Sequence, residues 1–353
     1  MAIDKPSFRI RDIPEDRSVH GYIDSKLNLA EKFKGLKPET VPDPFIKFKI
    51  KDLDLGKVLE SVKETNERIG WHGFLSHFKD TTDIKKQRTS YYGGFSITHN
   101  PDIAYPVDQH ASALGEPKAN LGNFFQGPLG SKIWLAMEDA KITPEFYRLC
   151  FESGLAGVKQ FLIQHKIITG DENLDWDTEF TSIKKNQKNS YFDTYSFRDL
   201  TDGAKSGALG EFFANRMQRR LCRSRTAYIN GQSWMPGVKD RMWHYDEPVY
   251  LNLRINIPLQ TSNNYVCEIR GLPGQYHFEV GNAYCWDTTV VHRVYAQRPE
   301  NSQRIHLVLG TIPWFDYDSD SQTYFANEFY GEMHPFDMVA AGHVISNIAI
   351  VKD

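Results

Sequence analysis

The sequence predicts an α+β fold in which helices from the N-terminal part pack against a core of antiparallel strands. After Cys222 the chain is a series of short β-branched and aromatic runs that Gly, Asn and Pro separate. These runs are RTAYING, VYLNLRINIPL, NYVCEIRG, YHFEVG, AYCW, TVVHRVYA and RIHLVLGTIPW. Regularly spaced short strands with turn residues between them are typical of an antiparallel sandwich or barrel.

Three segments before or at Cys222 have helical patterns. LDLGKVLESVKETNERIGW, from Leu53, repeats its apolar residues on one face. TPEFYRLCFESGLAGVKQFLIQHK has an N-cap threonine, Thr143, followed by Pro at the first helical position and Glu in the first turn. GALGEFFANRMQRRLC gathers basic residues at its C-terminal end, where the helix dipole favours them.

The remaining segments complete one predicted compact unit. Residues 1–45 are polar and Pro-punctuated, which predicts an irregular segment, and YYGGFSITHNPD predicts a short strand and a loop. The tail HPFDMVAAGHVISNIAIVKD predicts a short helix and a final strand. We therefore expect an N-terminal helical and irregular region over 1–222, which could cover the active site, a strand core over 223–315, and a C-terminal helix and tail over 316–353.

Composition excludes several classes of function. A net charge of −3 gives no basic surface for nucleic acid. No apolar run approaches the roughly 20 residues that a bilayer span needs, and the first residues have no secretory apolar region. The four cysteines are dispersed, which is typical of reduced thiols. These features are compatible with a cytoplasmic enzyme, and we expect a protein that binds neither nucleic acid nor membranes; its oligomeric state stays open.

The segment RMWHYDEPVY contains a histidine and an aspartate with one residue between them. If this segment is a strand, His244 and Asp246 project to the same face. An imidazole and a carboxylate are two of the ligands in the 2-His-1-carboxylate facial triad of Fe(II). The pair alone also fits an ordinary strand, because such triplets arise easily by chance.

Two later residues strengthen the metal hypothesis. His292, in CWDTTVVHRVYA, follows after enough short strands to return beside the first pair. Arg304 lies inside an apolar strand, where a guanidinium is costly unless it is paired. Its planar fork suits a carboxylate.

In this order and context, the His-x-Asp pair, the distal His and the Arg resemble the Fe(II)/2-oxoglutarate-dependent oxygenases. The frame WHYDEPVYLNLRINIPLQTSNN, then VGNAYCWDTTVVHRV, then RIHLVLG is most similar to the aspartyl/asparaginyl β-hydroxylase-like branch, which includes free-proline hydroxylases. The resemblance covers roughly residues 225–315. It implies a double-stranded β-helix, a jelly-roll or cupin-like core, with the N-terminal helices packed on it.

The resemblance also implies roles for individual residues. His244, Asp246 and His292 would be the catalytic iron ligands, and Arg304 would hold the distal carboxylate of 2-oxoglutarate, with O2 as the oxidant. Arg254 stands where this branch often places an arginine that meets a substrate carboxylate. Asn256, on the same strand face, could reach the cosubstrate or the substrate.

Three other residues of the region have competing interpretations. His277 forms a second His-x-Glu pair with Glu279, but this pair leaves His244 and Asp246 unexplained, so we expect it to be structural. For His306, which shares a strand face with Arg304, a hydrogen-bonded core histidine is the favoured interpretation over a pocket wall. Asp287 could orient a ligand or terminate a turn.

Together these features predict a dioxygenase that hydroxylates an unactivated C–H bond of a free amino acid or a small carboxylate metabolite, with succinate and CO2 as coproducts. Because the carboxylate ligand is present, hydroxylation is favoured over halogenation, and desaturation stays open. One alternative is a hydroxylase of an amino-acid side chain in a peptide or protein. Another is a non-catalytic cupin-like binding module, which would have no need of Arg304.

Overall fold

The computed structural model describes residues 5–14, 19–39, 45–69, 72–73, 92–101, 133, 136–137, 139–140, 154–170, 194–233 and 243–351. Within these ranges the chain combines helices with antiparallel sheets, so the predicted α+β class is confirmed. No helix in the described part is long and apolar enough to cross a bilayer.

The described residues form six helices and three short 3-10 turns. The helices are α1 (Val19–Leu27), α2 (Leu29–Lys34), α3 (Leu55–Ile69), α4 (Gly154–Gln164), α5 (Gly207–Arg216) and α6 (Pro335–Ala340). The 3-10 turns are Ile10–Asp12, Thr194–Ser196 and Gly231–Ser233.

The strands alternate with turns along the chain. They are β1 (Ser7–Phe8), β2 (Ile46–Ile50), β3 (His72–Gly73), β4 (Tyr92–Gly94), β5 (Thr98–His99), β6 (Asp199–Leu200), β7 (Leu221–Asn230), β8 (Leu253–Gln260), β9 (Tyr265–Ile269), β10 (Ala283–Cys285), β11 (His292–Ala296), β12 (Gln303–Thr311), β13 (Phe315–Asp318), β14 (Thr323–Ala326) and β15 (Ile348–Ile350). Eight of them form one sheet in the order β15-β2-β10-β8-β12-β7-β4-β3. β9 and β11 form a separate two-stranded ribbon, and β1, β14 and β13 form a small sheet.

The eight-stranded sheet has two different faces because successive residues of a strand point to opposite sides. On β12, Ile305, Leu307 and Leu309 join the main apolar core, in which Val58 and Val62 of α3 are also buried. The opposite face packs on the ribbon, where Ile229 of β7 contacts the β9 and β11 side chains. Polar and charged residues on this second face therefore lie in the space between the sheet and the ribbon.

Local sequence explains how α3 and α6 begin. Asp54 precedes α3, and its carboxylate accepts a hydrogen bond from the backbone N–H of Lys57, as an N-cap does. At α6, Nδ1 of His334 accepts from the N–H of Phe336, and Pro335 occupies the first turn. Each cap satisfies an N–H that has no partner inside its helix.

Several predicted elements need correction. Residues 1–45 were expected to be irregular, yet they contain β1, α1 and α2. The helix predicted over residues 207–222 ends at Arg216, because Met217 is extended and β7 begins at Leu221. YHFEVG makes only a single bridge, between Tyr276 and Cys267, and is not a strand.

Other predictions hold where the chain is described. The tail forms α6 and β15, and the helix predicted from Leu53 is α3. The last part of the helix predicted from Thr143 is α4, and residues 141–153 lie outside the described residues.

Candidate metal centre

The His-x-Asp segment forms a single β-bridge and is not a regular strand. His244 makes one bridge with His292, through N–H···O=C bonds of 2.9 and 2.8 Å in the two directions. The N–H of Asp246 instead donates to the carbonyl of Thr288 at 2.8 Å. The predicted regular strand is therefore absent, although His244 and Asp246 project to the same side as predicted. Backbone hydrogen bonds to His292 of β11 and to Thr288 in the β10–β11 connection nevertheless hold His244 and Asp246 beside β11.

The three predicted ligands meet at one point. One ligand atom from each of His244, Asp246 and His292 lies within 4.8 Å of the others. The centroids of the two imidazole rings are 4.4 Å apart. Nε2 of His292 lies 3.9 Å from Oδ2 of Asp246. Two imidazoles and one carboxylate at this spacing form a donor set that suits a divalent transition metal.

The hydrogen bonds of His292 orient its free nitrogen toward Asp246. Nδ1 lies 2.9 Å from the carbonyl oxygen of Val290. A carbonyl only accepts, so Nδ1 carries the proton and Nε2 keeps its lone pair. A metal-ligating histidine is commonly fixed in this way by a carbonyl behind it. The ring of Trp286, at 5.7 Å and perpendicular, packs against the same imidazole.

The surroundings of His292 and Asp246 keep each side chain in the protonation state that metal binding requires. Burial, reinforced by the neighbouring His244, lowers the pKa of His292 to about 4 although Asp246 acts in the opposite direction. Burial acts to raise the pKa of the Asp246 carboxyl, but the nearby Arg254 and the two imidazoles bring the pKa below its ordinary value. The imidazole of His292 is therefore neutral and the carboxylate ionised near neutral pH.

Arg254 is buried beside the candidate metal ligands and pairs with two carboxylates. Its Nη1 lies 3.3 Å from Oδ2 of Asp246, and its Nη2 donates to Oε2 of Glu247 at 2.8 Å. Its Nε is buried and has no hydrogen-bond partner among the described residues. Arg254 can thus hold the Asp246 side of the site and still offer one N–H to a ligand.

Arg304 lies on the same inner face, further from the ligands along β12. It is 3% exposed, and its Nη2 donates to Nδ1 of His306 at 2.7 Å. Arginine only donates, so His306 carries its proton on Nε2, a buried atom without a hydrogen-bond partner within the described ranges. Burial, and then the charge of Arg304, hold the pKa of His306 well below 6.5. This end of the face therefore presents N–H donors to the interior.

Asn256 is buried on the same face of β8 as Arg254. It is 5% exposed and stands opposite Tyr284 of β10 and Val308 of β12 in the two ladders. Its position lies between the candidate metal ligands and Arg304. An amide at this place can donate to or accept from a bound molecule.

The competing residues lie elsewhere. His277 is exposed, and Glu279 pairs with Lys47 at 3.2 Å. Asp287 is exposed and accepts from the N–H and hydroxyl of Thr289, which is the pattern of a turn residue. His277 and Glu279 do not belong to the group that could hold a metal ion in the described structure.

Sequence reasoning missed two groups that support the ligands. Glu247, immediately after Asp246, is almost buried and bonded to Arg254. The sequence could have indicated this role, because Arg254 lies on an apolar strand and a buried arginine requires a counter-charge. Trp243, immediately before His244, has the guanidinium of Arg293 4.2 Å from its ring centroid on the outer side of the ribbon. No local pattern in the sequence indicates that contact.

Comparison with known proteins gives one family match. Residues 217–312 match the family described as Aspartyl/Asparaginyl beta-hydroxylase, and this range contains all three candidate ligands and both inner arginines. No curated protein matches the chain. The family match supports an enzyme of the hydroxylase or oxygenase type, and the His-Asp-His group fits iron.

Solved structures resemble the chain weakly. A hydroxypropylphosphonic acid epoxidase from S. wedmorenis is 11% identical, with 53% of this chain and 96% of that chain covered and a TM-score of 0.20. A putative oxygenase from Shewanella oneidensis is 15% identical, with 84% and 92% covered and a TM-score of 0.25. Scores this low carry no argument about fold or function.

Proposed function

We propose that this protein is an Fe(II)- and 2-oxoglutarate-dependent dioxygenase with a double-stranded β-helix core. It hydroxylates an unactivated C–H bond of a free amino acid or small carboxylate metabolite, and succinate and CO2 are the coproducts. The observation that carries the proposal is the meeting of His244, Asp246 and His292 at one point. Three protein ligands leave positions open for a cosubstrate and O2.

The polar atoms of the inner face fit an anionic cosubstrate. Nε2–H of His306 lies at the Arg304 end of this face and has no acceptor among the described residues, and the buried guanidinium of Arg304 brings a positive charge to the same place. A buried donor without an acceptor is unfavourable by about 1–3 kcal/mol. One carboxylate of a bound dicarboxylate would supply that acceptor and a counter-charge to Arg304, so this end of the face suits 2-oxoglutarate.

Each residue then has a distinct task. His244, Asp246 and His292 hold the metal, and Arg304 with His306 receives the distal carboxylate of 2-oxoglutarate. Asn256 orients the cosubstrate, and Arg254 offers its Nε–H to the substrate carboxylate. When bound, Fe(II), 2-oxoglutarate and O2 supply the oxidising power for hydroxylation. The protein positions the C–H bond and shields the reaction from water.

Anaerobic titration tests the proposal. Protein loaded with Fe(II) receives 2-oxoglutarate, and the weak visible charge-transfer band of the chelate is followed. We expect a band in the wild type and none in His244→Ala. Arg304→Ala should bind 2-oxoglutarate about 10- to 150-fold more weakly, because a charge-assisted hydrogen bond contributes about 1.5–3 kcal/mol.

Two exposed residues provide matched controls. His277→Ala removes an imidazole outside the metal group, and Arg298→Ala removes an exposed guanidinium near the start of β12. Both variants should keep the wild-type band and affinity. Folded, iron-loaded wild type that gives no band would overturn the proposal and favour the binding module.

A further inference from the structure

Glu247 is a nearly buried carboxylate that the proposed chemistry does not use. Its Oε1 accepts from the hydroxyl of Thr194 at 2.6 Å and lies 3.7 Å from Nη1 of Arg223. Its Oε2 accepts from Asn252 at 3.3 Å and from Arg254 at 2.8 Å. Its side chain is 16% exposed. Partners from several separate parts of the chain therefore fix this carboxylate.

Arg254 connects Glu247 to the metal site. The guanidinium is 6% exposed and lies between Glu247 and Asp246. The oxygen of Asp246 that faces Arg254 is Oδ2, and the same atom lies 3.9 Å from Nε2 of His292. Arg254 and a metal ion would therefore compete for one carboxylate.

The charge of Glu247 decides how strongly Arg254 competes. A buried cation with Asp246 as its main counter-charge would hold that carboxylate and repel a divalent ion, since charges interact strongly away from water. Glu247 supplies a second negative charge to the same guanidinium. Asp246 can then keep its orientation and still donate electrons to a metal.

We propose that Glu247 is a positioning residue of the metal centre, which acts through Arg254 to orient Asp246 and to offset the charge of the guanidinium. The inference rests on the proposed function only in requiring that the triad binds a divalent metal. It also gives the part of the chain before residue 217 a role at the site, since Thr194 anchors Glu247.

Titration with Co(II), followed by its visible absorption, tests the role of Glu247 in the intact chain. Glu247→Gln keeps the size of the side chain and removes its charge. We expect its Kd for Co(II) to rise about 10- to 100-fold, the usual effect of losing a group that supports a metal ligand. Circular dichroism and Tm should show a folded protein. Glu279→Gln, at a carboxylate that also pairs with a cation and an amide, should keep the wild-type Kd.

Two further variants separate the positioning role from a structural one. Removing Arg254 as well, in Glu247→Gln/Arg254→Gln, should recover part of the lost Co(II) affinity, because the competing cation is gone. Thr194→Val keeps every charge and loosens Glu247, so its Kd should rise about 2- to 10-fold, the loss of one hydrogen bond. This variant decides the matter if Glu247→Gln does not fold.

The possible outcomes are distinct. Unchanged Co(II) affinity in Glu247→Gln, or in Thr194→Val where only that variant folds, would overturn the proposal. An equal loss in Glu279→Gln, or no recovery in the double variant, would overturn it too. Wild type that binds no Co(II) would overturn this inference and the proposed function together. Wild type that binds Co(II) but forms no chelate with 2-oxoglutarate would overturn only the proposed function.

Discussion

The contact between Trp243 and Arg293 predicts that a residue outside the metal group controls metal affinity. The indole lies on the outer side of the ribbon, with the guanidinium of Arg293 4.2 Å and that of Arg270 5.0 Å from its ring centroid. His244 follows directly and is the exposed member of the triad. Two backbone hydrogen bonds to His292 fix it from the other side. We infer that the contacts of Trp243 fix the backbone segment that positions His244.

The magnitude follows from the two cation–π contacts. Each contributes about 0.5–1 kcal/mol at a partly exposed site, so Trp243→Leu should weaken these contacts by about 1–2 kcal/mol. If that loss falls on the orientation of His244, the Kd for Mn(II) or Co(II) rises about 5- to 30-fold. The global fold should persist, because the main core lies on the other face of the eight-stranded sheet.

Tyr245→Ser is the matched control. Tyr245 flanks His244 on the opposite side, and 72% of it is exposed. Isothermal titration with Mn(II) compares both variants with wild type. Equal affinities in Trp243→Leu and wild type would refute this role of Trp243, and so would an equally large loss in Tyr245→Ser.

Three further predictions concern stability. Gly310→Ala should destabilise the protein by about 1–3 kcal/mol in urea unfolding, because a Cβ would lie 2.3 Å from the carbonyl oxygen of Cys222. Gly35 has open space around it, so Gly35→Ala should be near neutral in the same assay. His306 has its pKa held well below 6.5 by burial and by Arg304, so below that pH the unfolded chain takes up a proton that the folded chain does not. Wild type should therefore lose up to about 1.4 kcal/mol of stability per pH unit on acidification from this residue, and His306→Gln should lack that slope between pH 7 and 5 in urea unfolding. Co(II) at about 100 times its Kd should raise the free energy of unfolding by about 2.7 kcal/mol, and a metal-independent Tm would contradict this.

Patterns with a local physical cause could be predicted from the sequence. The helix from Leu53 and the short strands after Cys222 follow from side-chain periodicity, and they are present except at YHFEVG. The three ligand candidates were identified from residue type and order, since a return along several strands brings distant positions together. Boundaries set by tertiary contacts were missed. Met217 leaves the helical conformation, and its neighbour Gln218 bonds to Val344, a partner far along the chain.

The backbone structure of the His-x-Asp segment is also set by tertiary contacts that the sequence does not reveal. Its residue types predict a strand, but Pro248 follows closely and cannot donate to a ladder. The N–H of Asp246 reaches the turn before β11 instead. The bond to Thr288 and the bridge between His244 and His292 fix the two candidate ligands in place of a continuous strand ladder. Only the arrangement of β10 and β11 in three dimensions contains this information.

Residues outside the part of the chain that matches the hydroxylase family also support the candidate site. β2, which lies outside residues 217–312, pairs with β10 along Ile46–Phe48 and extends the sheet beside the strand that precedes the Thr288 turn. Phe45, just before β2, packs at 5.2 Å against the ring of Trp286, which in turn contacts His292. Protein interiors are close-packed, so each aromatic ring of this cluster restricts the position of the next. Removing one ring would therefore let the neighbouring rings shift. The N-terminal region therefore contributes to the orientation of His292, and sequence variation in that region can alter the metal centre without changing any ligand.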